Sequence, residues 1–335
     1  MKYKLLVLTD HSSQNDSNSI FALLQAMRIH PYSDRIDVAS KGVDANRDFF
    51  EGKIGAALQA CPVTAGFSYH SDGKYFTEGL RAVSLDDYHA IFLRLPPPLD
   101  NNFLTALGRQ FPDQKIINRP SGLFKTASKA FLLQFAEVCP AMKLCETAAD
   151  IREFSAQFSI VLKPLRNYGG RGIVKIENAR AEVDGKMLPL DHFLKVYEKD
   201  PIPYLGMMFL TNVDQGDKRI IVVNGQILGG VLRMPPPGAW LCNAAQGGYA
   251  VSSEITEAED RIARIITPVL LRTGIVMFGF DTLTGDDGQR VLSEINTLSI
   301  GGLPQMGELN NSPVVEQAAD LLWQYVNNEM YGHKD

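Results

Sequence analysis

A chain of 335 residues, 45% of them hydrophobic, is long enough for two or three lobes built around real cores. Its formal net charge of -5 argues against a general nucleic-acid coat and against an anionic membrane surface, while leaving room for a local basic pocket. The 4 cysteines (Cys61, Cys139, Cys145, Cys242) have neither CxxC spacing nor histidines to complete a zinc site, and read as reduced thiols of a cytoplasmic protein.

The opening run from Tyr3 to Leu8 reads as a buried strand, too short for a signal peptide. No uncharged apolar stretch reaches membrane-spanning length, since Arg272 interrupts the best one. A polar loop, Thr9 to Ser17, leads to an amphipathic helix from about Asn18 to His30. A second strand is expected at Asp37 to Ala39, a helix over 46–60 and a short two-stranded feature over Tyr75 to Ala82. Ala90 to Arg94 is a strand that Pro96-Pro97-Pro98 ends, because proline cannot donate to a ladder. A helix near Phe103 to Arg109 and the strand Lys115 to Asn118 follow. Strands alternating with helices indicate an open α/β domain with a largely parallel sheet, in which ligands gather outside strand carboxyl ends such as Thr9-Asp10-His11 and Arg94.

The pattern then changes to a smaller α+β lobe. Helices are expected over Ser128 to Glu137 and Asp150 to Gln157, strands over Ser159 to Pro164 and Ile173 to Ile176, and a weaker hairpin and helix over 181–198. Beyond a Pro201/Pro203 hinge, Tyr204 to Thr211 is a strand. Ile220 to Val223 and Gln226 to Arg233 flank an Asn-Gly turn, the strongest short hairpin signal. Met234 to Tyr249 is loop, and Glu257 to Thr273 is a helix with Thr256 as N-cap. Val314 to Met330 closes the chain as a helix. The boundaries expected are 1–122, 123–202 and 203–335.

The chemistry concentrates in the second half. The strand Ile275 to Phe280 delivers Asp281, and the strand Val291 to Asn296 carries Glu294 and Asn296 on one face, because alternate side chains of a strand point the same way. Hard oxygen donors on adjacent strands suit Mg²⁺, which takes its remaining ligands from water and phosphates. The loop Tyr168-Gly169-Gly170-Arg171-Gly172 lies between two strands and can offer backbone N–H groups to a polyphosphate, or simply make a tight turn. No GxxxxGK[ST] motif exists. Lys163, at a strand end, can reach phosphates or snorkel to solvent, and Lys129 begins a helix. Arg219 and Arg233 sit on the two arms of one hairpin, either as a cationic pair or as surface ion-pair partners. Together they read as an ATP site without a P-loop.

Several segments, taken in order, carry a resemblance. They are Ile117-Asn118-Arg119-Pro120, Ser128-Lys129, Val161-Leu162-Lys163-Pro164-Leu165, Gly216-Asp217-Lys218-Arg219, Arg233-Met234-Pro235, Asn243-Ala244-Ala245, Gly279-Phe280-Asp281 and Ser293-Glu294-Ile295-Asn296. Along nearly its whole length the chain resembles the ATP-grasp superfamily, and within it the bacterial glutathione synthetases. The resemblance implies an N-terminal open α/β domain, a small lid lobe and a C-terminal α+β domain. It further implies ATP and Mg²⁺ as cofactors, small-molecule carboxylate and amine substrates, and a homo-oligomer. Lys129 and Lys163 would hold the phosphates, with Gly169 and Gly170 as the lid over them. Met208, Phe209 and Leu210 would border the adenine, and Asp217 would approach the ribose. Asp281, Glu294 and Asn296 would hold Mg²⁺, and Arg219, Arg233 and Asn243 would face the γ-phosphate or the substrate carboxylate.

The reaction implied is amide formation through an acyl phosphate. It needs no enzyme nucleophile, in keeping with the lack of a Ser/His/Asp constellation. The chain departs from the family at Thr297 to Pro304, where only Ser299 matches a Ser-Pro-containing stretch, at the bulky Pro236 to Trp240, and at Arg171 in the lid. A ligase of the same fold with another substrate pair, and a non-catalytic nucleotide-binding module, are the competing readings.

Overall fold

The computed structural model describes residues 1–167, 170–236 and 249–331. Three sheets carry the fold. The first comprises β1 (Tyr3–Thr9), β2 (Ser33–Ser40), β3 (Leu58–Pro62), β4 (Arg81–Val83), β5 (Ala90–Arg94) and β6 (Ile116–Ile117), in the order β4-β3-β2-β1-β5-β6. Its centre is parallel: β1 pairs with β2 and β5, and β5 with β6. β3 and β4 add an antiparallel edge. The central strands are buried on both faces, so they read as continuous apolar runs rather than alternating ones.

The second sheet is antiparallel: β7 (Met142–Cys145), β8 (Ile160–Pro164), β9 (Val174–Glu177), β10 (Arg180–Val183), β11 (Lys186–Pro189) and β12 (Tyr204–Met208), in the order β11-β10-β9-β8-β12-β7. The third holds β13 (Asp217–Val223), β14 (Gln226–Met234), β15 (Tyr249–Ser253), β16 (Met277–Thr284) and β17 (Arg290–Asn296), in the order β15-β14-β13-β16-β17. The helix Glu257–Arg272 begins with the expected Thr256 cap, in a reciprocal capping box with Glu259. No described helix is long and apolar enough to cross a membrane.

Several expectations need correcting. Residues 46–60 are not one helix: Arg47–Phe50 is a single turn, Gly52 adopts φ +98, and Leu58–Pro62 is β3. Glycine at a left-handed position stops the helix, and the alternate burial of Leu58 and Ala60 then favours a strand. Tyr75 to Ala82 is not two-stranded, since Lys74–Thr77 is helical and only Arg81–Val83 pairs, with β3. The stretch after Ser128 is a 3-10 run, Lys129–Val138, kinked at Phe135. Asp281 lies within β16 rather than beyond its end, because Thr282, Leu283 and Thr284 continue the ladder against β17. Strand β7 and the helices Pro120–Thr126 and Leu303–Asn310 were not foreseen.

The helix Pro120–Thr126 is pressed onto the turn that precedes β16. A Cβ on Gly122 would stand 2.1 Å from the Thr273 carbonyl oxygen and 3.1 Å from Ile275 Cδ1. Gly122→Ala is therefore expected to cost about 1–3 kcal/mol through overpacking, even though alanine favours helix. Urea unfolding checks this, and a variant as stable as the parent would show that the helix can slide away.

Candidate active site

One face of the third sheet supplies the charges. Asp217 and Arg219 are alternate residues of β13, so they share a face. The register sets Asp217 opposite Arg233 on β14, Arg219 opposite Asp281 on β16, and Asp281 opposite Glu294 on β17, with Gly279 opposite Asn296. A bulge between Asp281 and Thr282 re-aims the strand at this point. Across the chamber from this sheet are residues of β8, β12 and the segment after β12, with Gly170 and Arg171.

Between them lies a cavity of about 330 Å³. Its apolar end is walled by Val161, Ile173, Met207, Met208, Phe209, Leu210 and Leu283. Its polar end gathers Lys129, Lys163, Asp217, Arg219, Arg233, Asp281, Glu294 and Asn296, with Gly170 and Arg171 from the loop. Every described member of the residue set named from sequence thus lines one chamber. Gly169 and Asn243 lie outside the described residues. Val161, Met207 and Leu283 were missed, although strand periodicity signals two of them: Val161 is two residues before Lys163, and Leu283 two after Asp281. Arg94, at the end of β5, does not line the chamber. It is 3% exposed and donates to the Ile300 carbonyl at 2.7 Å.

The charges are paired with one another. Asp281, 3% exposed, accepts from Arg219 through both carboxylate oxygens, the Nη2–Oδ2 distance being 2.8 Å, and from Arg233 Nη2 at 3.0 Å. Arg233 also grips Asp217 bidentately at 2.6 and 2.7 Å. Lys129 Nζ bonds Glu294 Oε1. Lys163 Nζ donates to the Ser293 carbonyl at 3.1 Å. Burial alone would raise the Asp281 carboxyl, but Arg219 and Arg233 outweigh it and hold the group below the usual carboxylate range. Asp217 moves the other way, pushed up by burial and by the Asp281 charge. Burial pulls the Lys163 ammonium down, against the attraction of Glu294.

Among the described residues, no cluster of at least three His, Cys, Asp or Glu side chains is placed to hold a metal. The opposed Asp281 and Glu294, with the Asn296 amide oxygen, make a partial oxygen set. Such a set fits an ion that fills its shell with phosphate oxygens and water. A cysteine nucleophile is disfavoured at Cys61, Cys139 and Cys145. Burial pushes the first two thiols up to about 12 and the third up to about 11. A second cavity of about 360 Å³ adjoins the first. Arg219 and Arg233 line both, and the rest of its described wall is largely apolar, with Ile221, Val231, Met306 and the open Gly301.

The family profile described as prokaryotic glutathione synthetase, ATP-grasp domain, matches residues 128–311. A glutathione synthetase of Parasynechococcus marenigrum is 32% identical over 71% of this chain and 76% of that relative. One of Mesorhizobium japonicum is 27% identical over 98% of this chain and 99% of that protein. In structure, a D-cycloserine synthetase superposes with a TM-score of 0.66 at 13% identity, covering 96% of this chain and 99% of the other. An ATP-grasp ligase complexed with a minimal precursor, Mg and ADP gives 0.60 at 15% identity, covering 96% and 97%. The chain therefore belongs to the prokaryotic glutathione synthetase family and is an ATP-dependent ligase of the ATP-grasp fold.

Proposed function

We propose that this ligase joins γ-glutamylcysteine to glycine through an acyl phosphate, with Mg²⁺ and ATP. The reading is supported above all by the strand register that sets Asp217, Arg219, Arg233, Asp281, Glu294 and Asn296 on one face of a chamber opposite Lys163. In this reading the adenine lies against Met208, Phe209 and Leu210, and Asp217 approaches the ribose. Lys129 and Lys163 hold the phosphates as point charges. Asp281, Glu294 and Asn296 hold Mg²⁺, which when bound supplies charge neutralisation at the phosphates.

The chemistry asks the protein for alignment rather than a nucleophile. The dipeptide carboxylate attacks the γ-phosphorus, and the bond to the β-phosphate oxygen breaks to release ADP. The amine then attacks the acyl carbon, loses a proton and expels phosphate. Arg219 and Arg233, on the wall between the two cavities, exchange Asp281 for the charge that develops on the transferred phosphoryl group. The compartment proposed is the cytoplasm.

A second reading has one observation in its favour. The second cavity is largely apolar, which suits an acceptor with a bulkier apolar body on the same fold. ADP release with ATP and Mg²⁺, with and without γ-glutamylcysteine plus glycine, separates the two. Stimulation that requires both substrates and yields glutathione supports the first reading. Stimulation only by other carboxylate–amine pairs replaces it with the second. Glu294→Gln is expected to keep the fold and to raise the Mg²⁺ concentration required by about 10–100-fold. Near-normal ADP formation by that variant at low Mg²⁺ would sink the donor assignment.

A further inference from the structure

Asn118 stands outside the chamber and carries no charge, yet its side chain makes four hydrogen bonds to the strands that bear the oxygen donors. Its Oδ1 accepts from the backbone N–H of Val276 at 2.7 Å and of Met277 at 2.9 Å. Its Nδ2 donates to the Met277 carbonyl at 2.6 Å and the Thr297 carbonyl at 2.8 Å. These bonds use both amide hydrogens and both oxygen lone pairs, at a residue only 6% exposed.

The placement gives the bonds a consequence. The β16–β17 ladder has its last rung where Gly279 faces Asn296. Met277 begins β16, and Thr297 directly follows Asn296. Beyond the last rung, the Asn118 amide bridges the two strands, and so fixes the separation of the end that carries Asn296. Thr126 Oγ1 meets Thr297 Oγ1 at 2.9 Å beside it, and the Arg119 N–H bonds the Gly274 carbonyl at 3.0 Å. The anchor comes from the first sheet, since Asn118 directly follows β6.

We propose that Asn118 is a positioning residue that sets the spacing of Asp281, Glu294 and Asn296. The inference rests on the reading of those three as Mg²⁺ donors. Mg²⁺ tolerates little departure from octahedral geometry, so a shift of a few tenths of an ångström at Asn296 weakens the site. Aspartate at 118 cannot donate to the Met277 and Thr297 carbonyls and sets oxygen against oxygen there. Alanine leaves two N–H groups and two carbonyls without the amide.

The test uses the full chain: calorimetric titration with ATP in EDTA and across a Mg²⁺ series, with a thermal melt of each variant. For Asn118→Asp, the metal-free ATP affinity is expected to stay within about twofold of the parent, while the Mg²⁺ midpoint rises about 10–100-fold. Asn118→Ala, smaller and uncharged, serves where the aspartate variant does not fold. A lowered Tm with an unchanged Mg²⁺ midpoint would make Asn118 merely structural and overturn the proposal. Glu294→Gln, run alongside, keeps the two readings apart. If it leaves the midpoint unchanged, the donor reading fails; if it shifts the midpoint and the Asn118 variants do not, only the positioning role fails.

Discussion

Asp281→Asn is expected to lose amide formation by about 10²–10³-fold and yet to bind metal-free ATP more tightly than the parent chain. In the proposed reading, the loss follows from removing one of the two carboxylates that would hold Mg²⁺. The gain follows from what those carboxylates do before ligand arrives. Asp281 holds both Arg219 and Arg233, so a polyphosphate entering without metal must take guanidinium groups from a buried carboxylate. Leaving such a carboxylate unpaired opposes binding. In the proposed reading, Asp281 and Glu294 would hold a divalent cation that arrives with the nucleotide, which would free Arg219 and Arg233 for the phosphates. An asparagine holds arginine far less firmly than an aspartate. With charge-assisted bonds worth about 1.5–3 kcal/mol, the variant should gain roughly tenfold or more in metal-free affinity. A titration of ATP in EDTA reads this directly, and an affinity no better than the parent's would show that the arginines are not restrained by Asp281.

Glu259→Gln should destabilise the fold by about 3–5 kcal/mol without altering any group in the chamber. Glu259 is 0% exposed. Its Oε2 accepts from Lys218 Nζ at 2.8 Å, the Thr256 N–H at 2.9 Å and the Thr256 hydroxyl at 2.9 Å. Its Oε1 accepts from the Thr282 hydroxyl at 2.8 Å and Arg290 Nε at 3.2 Å. Glutamine keeps the shape but leaves the buried Lys218 and its neighbour Arg290 without their counter-charge. Burial opposes ionisation of Glu259, but Lys218, the Thr256 N–H and Thr282 outweigh it and hold the carboxyl below its ordinary value. A carboxylate depressed on folding contributes stability above its unfolded pKa, near 4.3, and loses that contribution as pH falls through the folded value. The gap between parent and variant should therefore be full at pH 7 and close below about pH 4. Denaturant unfolding across that range tests it, and a gap that does not vary with pH would mean that packing rather than charge is at stake.

Much of the chamber was legible because strands have a period of two. Glu294 and Asn296 had to share a face, whereas Asp217 and Arg219 share one because β13 starts at Asp217, three residues before the strand expected from Ile220. Lys163 and Lys129 were legible as cations at the ends of elements. What could not be read was register. Nothing in one dimension says that Arg219 faces Asp281, that Arg233 reaches both acids, or that Lys129 meets Glu294 from 165 residues away. Local chemistry was misread where glycine outweighed helical periodicity, as at Gly52. It was missed where a helix is short and starts abruptly: Leu303–Asn310 follows Gly302 at φ +90, and only Leu303 and Met306 are buried. The sequence motif around Asn118 does not show its bonds, because a side chain that joins two sheets has no local signature.

Arg219 and Arg233 line both cavities. In the proposed reading, a single inhibitor that reaches past them would set an aromatic base against Phe209, an apolar arm toward Ile221 and Val231, and a tetrahedral anion between the guanidinium groups. Each end would hold the other at high effective concentration, so affinity would come from linkage rather than from either arm. Selectivity over other nucleotide enzymes would rest on the apolar arm, since the base and the anion are what such enzymes have in common.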